Sequence, residues 1–592
     1  MEKPARPWLS LVVLCLGTFA VLLDATIVNV ALPSIITDLH ASLDQALWVI
    51  NAYLLVFAGL LIVAGRLGDM FGPRRLFVIG LALFAAASAL CGAAQSPGQL
   101  IAARVLQGVG AAALTPQAMV IIQAVFPRER MGAAFGVFSS MVGLAAVSGP
   151  TLGGVLTTYL SWRWVFYVNP PIAAAGIVLA YRFVPDIRTG RRPRLDLVGA
   201  LLATTGLSAV VYGVIEGQRY DWGTVRYGIT IGEIIGAGLV ILAAFVAWER
   251  RHREPLMPLG LFRSRTFAIM VLLNVAVQFA LQSMLLVNSI NLQSVLGMTA
   301  VRAGLTSLPL TLALTALAPF AGRLTDRFGG KYVLMAGLVV FAAGIAGVAA
   351  VSSTHATSLT FAPVLAVAGL GMGAIFAPLA TEAMRAAPTR LAGAASGILN
   401  TGRQLGGTLG GAITGAVLAS QLTAAMHLRA VADARLLPAA ARPRFVAGFA
   451  QAARSGLQVG RGQSVARPPR GVPPQLIPEL RQLIRDVFTH GYIAAIRPTL
   501  AISVAVLLAG AAGCLLLRRH TAPAVTSPPA AVTSSPAAVT GSHAEVTSPP
   551  AGAASLPAVT GRAAAPAGPT AASASFSVLL PAGTRRRPAP EA

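Results

Sequence analysis

Four charged side chains stand inside long apolar stretches of this 592-residue chain: Asp24 within 8–32, Arg104 within 97–122, Glu233 within 227–248 and Arg403 within 394–419. A charge at the centre of a lipid bilayer costs about 2.5–3.5 kcal/mol on insertion scales, so one that persists there has a task. Asp24 is a protonatable carboxylate. It can hold a proton, a cationic compound, or each in turn, because its proton affinity depends on whether a cation stands beside it. Arg104 keeps its own proton and acts by presenting its charge to a carboxylate or withdrawing it. At about 1.5 Å per residue, Asp24, Arg104 and Glu233 each lie roughly 10 Å beneath the same surface. All three are therefore candidates for proton coupling. The structural alternatives are an interhelical hydrogen bond for Asp24, a fixed ion pair or backbone-carbonyl clamp for Arg104, and a neutral lipid-facing position for Glu233.

Uncharged polar residues suggest a wet wall. Asn274, Gln278 and Gln282 recur at i, i+4 and i+8, which places three amides on one helix face. Lipid does not tolerate such a stripe, so it faces protein or an aqueous cavity. Asn29, Asn400 and Arg403 are further candidates for that cavity, and interhelical hydrogen bonding is the alternative for each.

These residues need membrane-spanning elements to position them. Apolar residues make up 55% of the chain and charged ones only 11%, against roughly 25% charged in soluble domains. A helix crossing about 30 Å of hydrocarbon needs about 20 apolar residues. Fourteen stretches qualify: 8–32, 46–65, 76–95, 97–122, 132–157, 163–183, 195–215, 227–248, 267–290, 303–322, 331–351, 358–380, 394–419 and 498–517. With the N-terminus inside, the inner connections and flanks collect Arg66, Arg74, Arg75, Arg128, Arg130, Arg250, Arg323, Arg385 and others. The short outer connections hold only Arg163, Arg219, Arg226 and Arg302. The net charge of +25 is therefore mostly topology, which sets nucleic acid aside as a partner. Cys15, Cys91 and Cys514 lie in apolar runs and form no disulfide framework. No phosphate-cradling G-x-x-x-x-G-K-[ST] pattern and no paired Cys/His spacing occurs, so neither an enzyme nor a nucleotide, metal or other cofactor site is expected.

Two segments stand apart. The long outer connection 420–497 contains QLIPELRQLIRDVF at 475–488, whose apolar residues fall at helical spacing; it reads as an amphipathic helix on or near the outer face, with a half-ordered loop as the alternative. The tail 520–592 is rich in Ala, Pro, Ser and Thr, has VTSPP-like units, and is expected to be disordered.

GRLGDMFGPRR at 65–75 returns as GRLTDRFGGK at 322–331, so that Asp69 corresponds to Asp326 at an offset of 257. Repeated halves around a midplane site are a transporter architecture. GRLGDMFGPRRL resembles motif A of the major facilitator superfamily, RVLQGVGAA at 104–112 its motif B, and SGPTLGG at 148–154 its antiporter motif. LLDATIVNVALP at 22–33, WRWVFYVNPP at 162–171 and GILNTGRQLGGTLGGAI at 397–413 resemble the fourteen-helix drug:proton antiporter branch. The resemblance implies an all-α polytopic membrane protein of the major facilitator fold, with two six-helix bundles (1–184 and 267–519) flanking two extra helices (185–266). It further implies proton-coupled export of a small amphipathic drug or antibiotic across the cell membrane, with both termini cytoplasmic and no oligomer required. Gly65, Arg66, Asp69, Arg74 and Asp326 are then expected to latch the inner gate, by pairing with a guanidinium or docking on a helix N-terminus. Gly149, Pro150, Gly153 and Gly154 are expected to pivot or seal the path, with generic packing as their alternative. A metabolite importer and a non-transporting scaffold or sensor are the rival functions.

Overall fold

The computed structural model describes residues 6–187, 196–217, 220, 222–226, 228–252, 255–436, 442, 445, 447 and 477–517. The tail, including its Arg585-Arg586-Arg587 run, and most of the outer connection lie outside the described residues.

The chain is a succession of long helices: α1 (Pro7–Asp38), α2 (Leu43–Phe71), α3 (Pro73–Ala93), α4 (Pro97–Val125), α5 (Met131–Tyr159), α6 (Trp164–Tyr167), α7 (Asn169–Phe183), α8 (Leu197–Gly217), α9 (Ile231–Arg251), α10 (Arg265–Ile290), α11 (Ala300–Thr306), α12 (Leu308–Phe328), α13 (Gly330–Val351), α14 (Ser358–Ala386), α15 (Ala392–Asp433) and α16 (Ile477–Gly513). Thirteen helices among the described residues are long and apolar enough to cross a membrane, α6 and α7 counting as one. α5, with 29 residues, occupies the fifth expected crossing.

Local chemistry sets the boundaries. Proline begins α1, α3 and α4, where its missing N–H is no loss. Ser42, Ser96 and Ser264 accept the first free N–H groups of α2, α4 and α10. The two repeated turns hinge on glycine: Gly72 and Gly329 adopt φ of 94° and 81°, which side chains resist, and each lets one helix reverse directly into the next.

α1 packs on α4, α5 and α7, and α3 packs on α4 and α7; in the second half, α13 packs on α14 and α16, and α10 on α15 and α16. Phe77, Phe84 and Phe135 are fully buried in the first group, Phe267, Phe341 and Phe361 in the second. The groups meet chiefly through α2 against α15 and α5 against α12 and α14. The pair α8–α9 leans on α2 and α15.

Two boundaries depart from the sequence reading. α9 starts at Ile231, after a short antiparallel hairpin of β1 (Thr224–Arg226) and β2 (Ile229–Thr230), and not at 227. The described part of the segment 475–488, from Ile477 onward, is not a separate surface helix. It is continuous with the last crossing in α16, and α15 likewise runs on from 419 to Asp433. Ile484, Val487, Phe488 and Tyr492 of α16 and Leu422, Met426 and Ala430 of α15 are buried, and the Tyr492 hydroxyl donates to the Val287 carbonyl of α10 at 2.9 Å. The described part of the apolar stripe, from Leu483 to Phe488, packs against neighbouring helices.

Candidate functional site

Asp24 and Arg104 meet. Each is almost wholly buried (0% and 1% exposed), and an Arg104 guanidinium nitrogen lies 2.5 Å from the Asp24 carboxylate. Gln107, one turn along α4 from Arg104, donates to the other Asp24 oxygen at 2.8 Å, and Asn169 donates to that oxygen at 3.1 Å. Asn169 also donates to the Ser88 hydroxyl of α3, which in turn donates to the Phe166 carbonyl. Arg104 is held from behind. Its Nε donates to the Val49 carbonyl of α2, and its guanidinium carbon lies 4.1 Å from the Tyr53 ring centroid. Every strong donor around Asp24 comes from a different turn or helix, so the carboxylate ties α1, α4 and α7 together while it is ionised.

The face that carries the α2–α3 and α4–α5 turns is arginine-rich, and there the two groups are locked by related contacts. Asp69, at the end of α2, accepts from the Gly393 and Ala394 N–H groups at the start of α15, at 2.9 and 3.2 Å. Asp326, at the end of α12, accepts from the Gly132 and Ala133 N–H groups at the start of α5, both at 2.8 Å. Each carboxylate docks on unsatisfied donors at the positive end of a helix in the other half. Backbones approach closely at both places: a Cβ on Gly65 would collide with the Gly393 carbonyl, and one on Gly132 with the Gly322 carbonyl. Arg385 adds a second clamp at Asp326, with a 2.6 Å ion pair there and a 2.5 Å bond to the Arg128 carbonyl. Arg74 holds the end of α7 instead, through the Val184 carbonyl and Asp186. Arg66 is buried close enough to act on Asp69.

The remaining expected residues divide. Glu233 is misplaced by the depth estimate: it is exposed in the first turn of α9, forming a capping box with Thr230 (2.7 and 3.2 Å), because the helix starts later than its hydropathy suggests. Asn274 is buried and donates to the Leu399 carbonyl of α15 at 2.6 Å, so it clamps two helices. Asn400 donates to the Ser396 carbonyl of its own helix. Gln278 has a buried Oε1 without a partner among the described residues, Gln282 is exposed, and Asn29 is exposed and bonded to the Ala25 carbonyl. Arg403 is half-buried. Gly149 and Gly153 seat α5 against Thr26, Ile27 and Val30 of α1, whereas a Cβ on Gly154 would meet nothing within 4 Å. Pro150 lies within α5, between those two contacts.

The family model of the Major Facilitator Superfamily matches residues 14–411. The chain belongs to the Major Facilitator Superfamily. Among its relatives are the tetracenomycin C resistance and export protein of Streptomyces glaucescens, 35% identical over 70% of this chain and 77% of that protein, and the puromycin resistance protein of Streptomyces alboniger, 40% identical over 68% and 80%. The probable actinorhodin transporter of Streptomyces coelicolor is 37% identical over 68% and 71%. The human organic anion transporter MFSD10 superposes with a TM-score of 0.51 at 13% identity, covering 70% of this chain and 93% of that one, which establishes the shared fold. Membership in the major facilitators makes the chain a multi-pass membrane transporter. Two of the stretches that carry the family resemblance hold residues that sequence reasoning passed over: Gln107 in RVLQGVGAA and Asn169 in WRWVFYVNPP.

Proposed function

We propose that this chain exports small amphipathic drugs or antibiotics across the cell membrane in exchange for protons, by alternating access between the groups α1–α7 and α10–α16. The buried Asp24–Arg104 pair carries the reading. A proton arriving at Asp24 cancels its charge, weakens its hold on Arg104 and loosens the junction of α1, α4 and α7. Loss of the proton restores it. The arginine-rich face is cytoplasmic by the positive-inside rule, and both flanks of the helical region lie with it. The two aspartate–helix docks then close the cytoplasmic gate and separate on inward opening. The names of the relatives, resistance and export proteins among them, support the direction of transport and the class of cargo. One proton moving down 100 mV releases about 2.3 kcal/mol, enough for a roughly fifty-fold gradient of cargo.

The test uses inside-out membrane vesicles with an acid lumen, offered ethidium, rhodamine 123 and fluorescein in turn. At least one dye should accumulate in the lumen only while the proton gradient lasts, and Asp24→Asn at equal membrane abundance should abolish accumulation. Release of preloaded dye under the same gradient would mark an importer. Indifference of all three dyes to the gradient, or full accumulation by Asp24→Asn, overturns the reading.

A further inference from the structure

Two of the three charges deep in the helices cancel, Asp24 against Arg104; the third, Arg403, has no counterpart. Among the described residues it makes no hydrogen bond or ion pair, and no carboxylate acts on it. It sits eleven residues into α15, about 16 Å from that helix's start and thus near mid-bilayer.

The helix face it occupies is defined by its neighbours. Ser396 and Asn400, seven and three residues earlier, share that face. Ser396 donates to the Pro116 carbonyl of α4 at 2.7 Å, and the Asn400 amide lies 3.9 Å from the Met119 sulfur. The face therefore looks across at the other half. One turn beyond Arg403 the contact ends: among the described residues a Cβ on Gly407 would meet nothing within 4 Å, and one on Gly411 would meet only the Gln282 side chain, at 3.6 Å. Arg403 stands where the touching halves give way to open space, lined on the α10 side by the exposed Gln282.

An uncompensated guanidinium in such a place attracts anions and repels cations, and the low dielectric of its surroundings sharpens both effects. Its planar fork matches the two oxygens of a carboxylate, and its flat face suits an aromatic frame. We infer that the cargo of this chain is an organic anion, an apolar or aromatic frame bearing a carboxylate, with Arg403 as the group that holds it. The inference rests on the export reading for its meaning but concerns binding, which needs no gradient.

Fluorescein and rhodamine 123 share a xanthene ring system and differ in charge, anionic against cationic, and their binding to the purified full-length protein can be followed by fluorescence anisotropy. The wild type should bind fluorescein at least about tenfold more tightly than rhodamine 123. Arg403→Gln should remove most of that preference, and Arg403→Lys should keep part of it, because the charge remains while the fork is lost. Gly407→Glu keeps Arg403 and supplies a carboxylate at the i+4 position in space that is open, so it should erase the preference as Arg403→Gln does. If Arg403→Gln does not fold, Gly407→Glu decides. A wild type that favours rhodamine 123, or a preference untouched by Gly407→Glu in folded protein, overturns the inference. Charge-selective binding with no gradient-driven movement of any dye would leave it standing and sink the export reading. Gradient-driven movement of rhodamine 123 alone would do the reverse.

Discussion

Asp24 and Arg104 are conspicuous in the sequence because a charge in an apolar run is costly. Their partners are not, since Gln, Asn and Ser are ordinary in spanning helices and only the fold shows which of them converge. The convergence also alters what substitution should do. Asparagine at position 24 is cheaper to bury than aspartate, yet it leaves Arg104 without an opposite charge, held only by neutral groups: the Tyr53 ring, the Val49 carbonyl and the Gln107 side-chain oxygen at 2.6 Å. Breaking one side of a buried pair costs about 3–5 kcal/mol, whereas replacing both partners is often nearly neutral. Asp24→Asn should therefore lower the midpoint of thermal unfolding in detergent, and Asp24→Asn with Arg104→Gln should recover most of the loss without recovering proton-driven export. A double variant no more stable than the single one would show that the pair does not act as a unit.

At the scale of helices, the sequence announces which segments cross but not where each begins or what its apolar stripe meets. The signature of the α9 cap was legible, Thr230 followed three residues later by Glu233, yet the apolar run around it masked the boundary and made a capping side chain resemble an intramembrane acid. The spacing in 475–488 announced a helix with one apolar face; that its described part packs on α15 and α10 depends on how far those helices extend. The Asp69 dock was legible in kind, because a carboxylate in a glycine turn needs donors, while its partner Gly393, 324 residues away, was not. An anion at a helix N-terminus is worth about 0.3–2 kcal/mol, so Asp69→Asn should favour opening of the arginine-rich face by roughly two- to thirty-fold. Ser396→Cys, buried between α15 and α4, reports that opening. In isolated inside-out vesicles its thiol should react faster with a water-soluble maleimide when Asp69→Asn is present. Equal rates would mean that the dock does not hold the gate.

Across the whole molecule the internal repeat has a mechanical counterpart. Asp69 and Asp326 occupy matching positions in the two halves, and each reaches across to the first N–H groups of a helix in the other. One carboxylate per half, facing opposite ways, makes closure of this face a symmetric event in which the two docks form or separate together. Arg385 strengthens one side only, through Asp326 and the Arg128 carbonyl. That asymmetry offers a handle. Arg128 belongs to the connection before α5 and Arg385 to the end of α14, so thiols at these two positions lie on opposite halves next to one dock. Cys15, Cys91 and Cys514 are buried and do not compete for a polar reagent. In protein carrying Arg128→Cys and Arg385→Cys, a short cleavable bis-maleimide should arrest gradient-driven dye accumulation in vesicles, and cleavage of the linker should restore it. Each single variant treated alike should transport as before treatment. Accumulation that continues at full rate in the crosslinked protein would mean that this face need not open during transport, and the alternating-access cycle built on the two docks would be wrong.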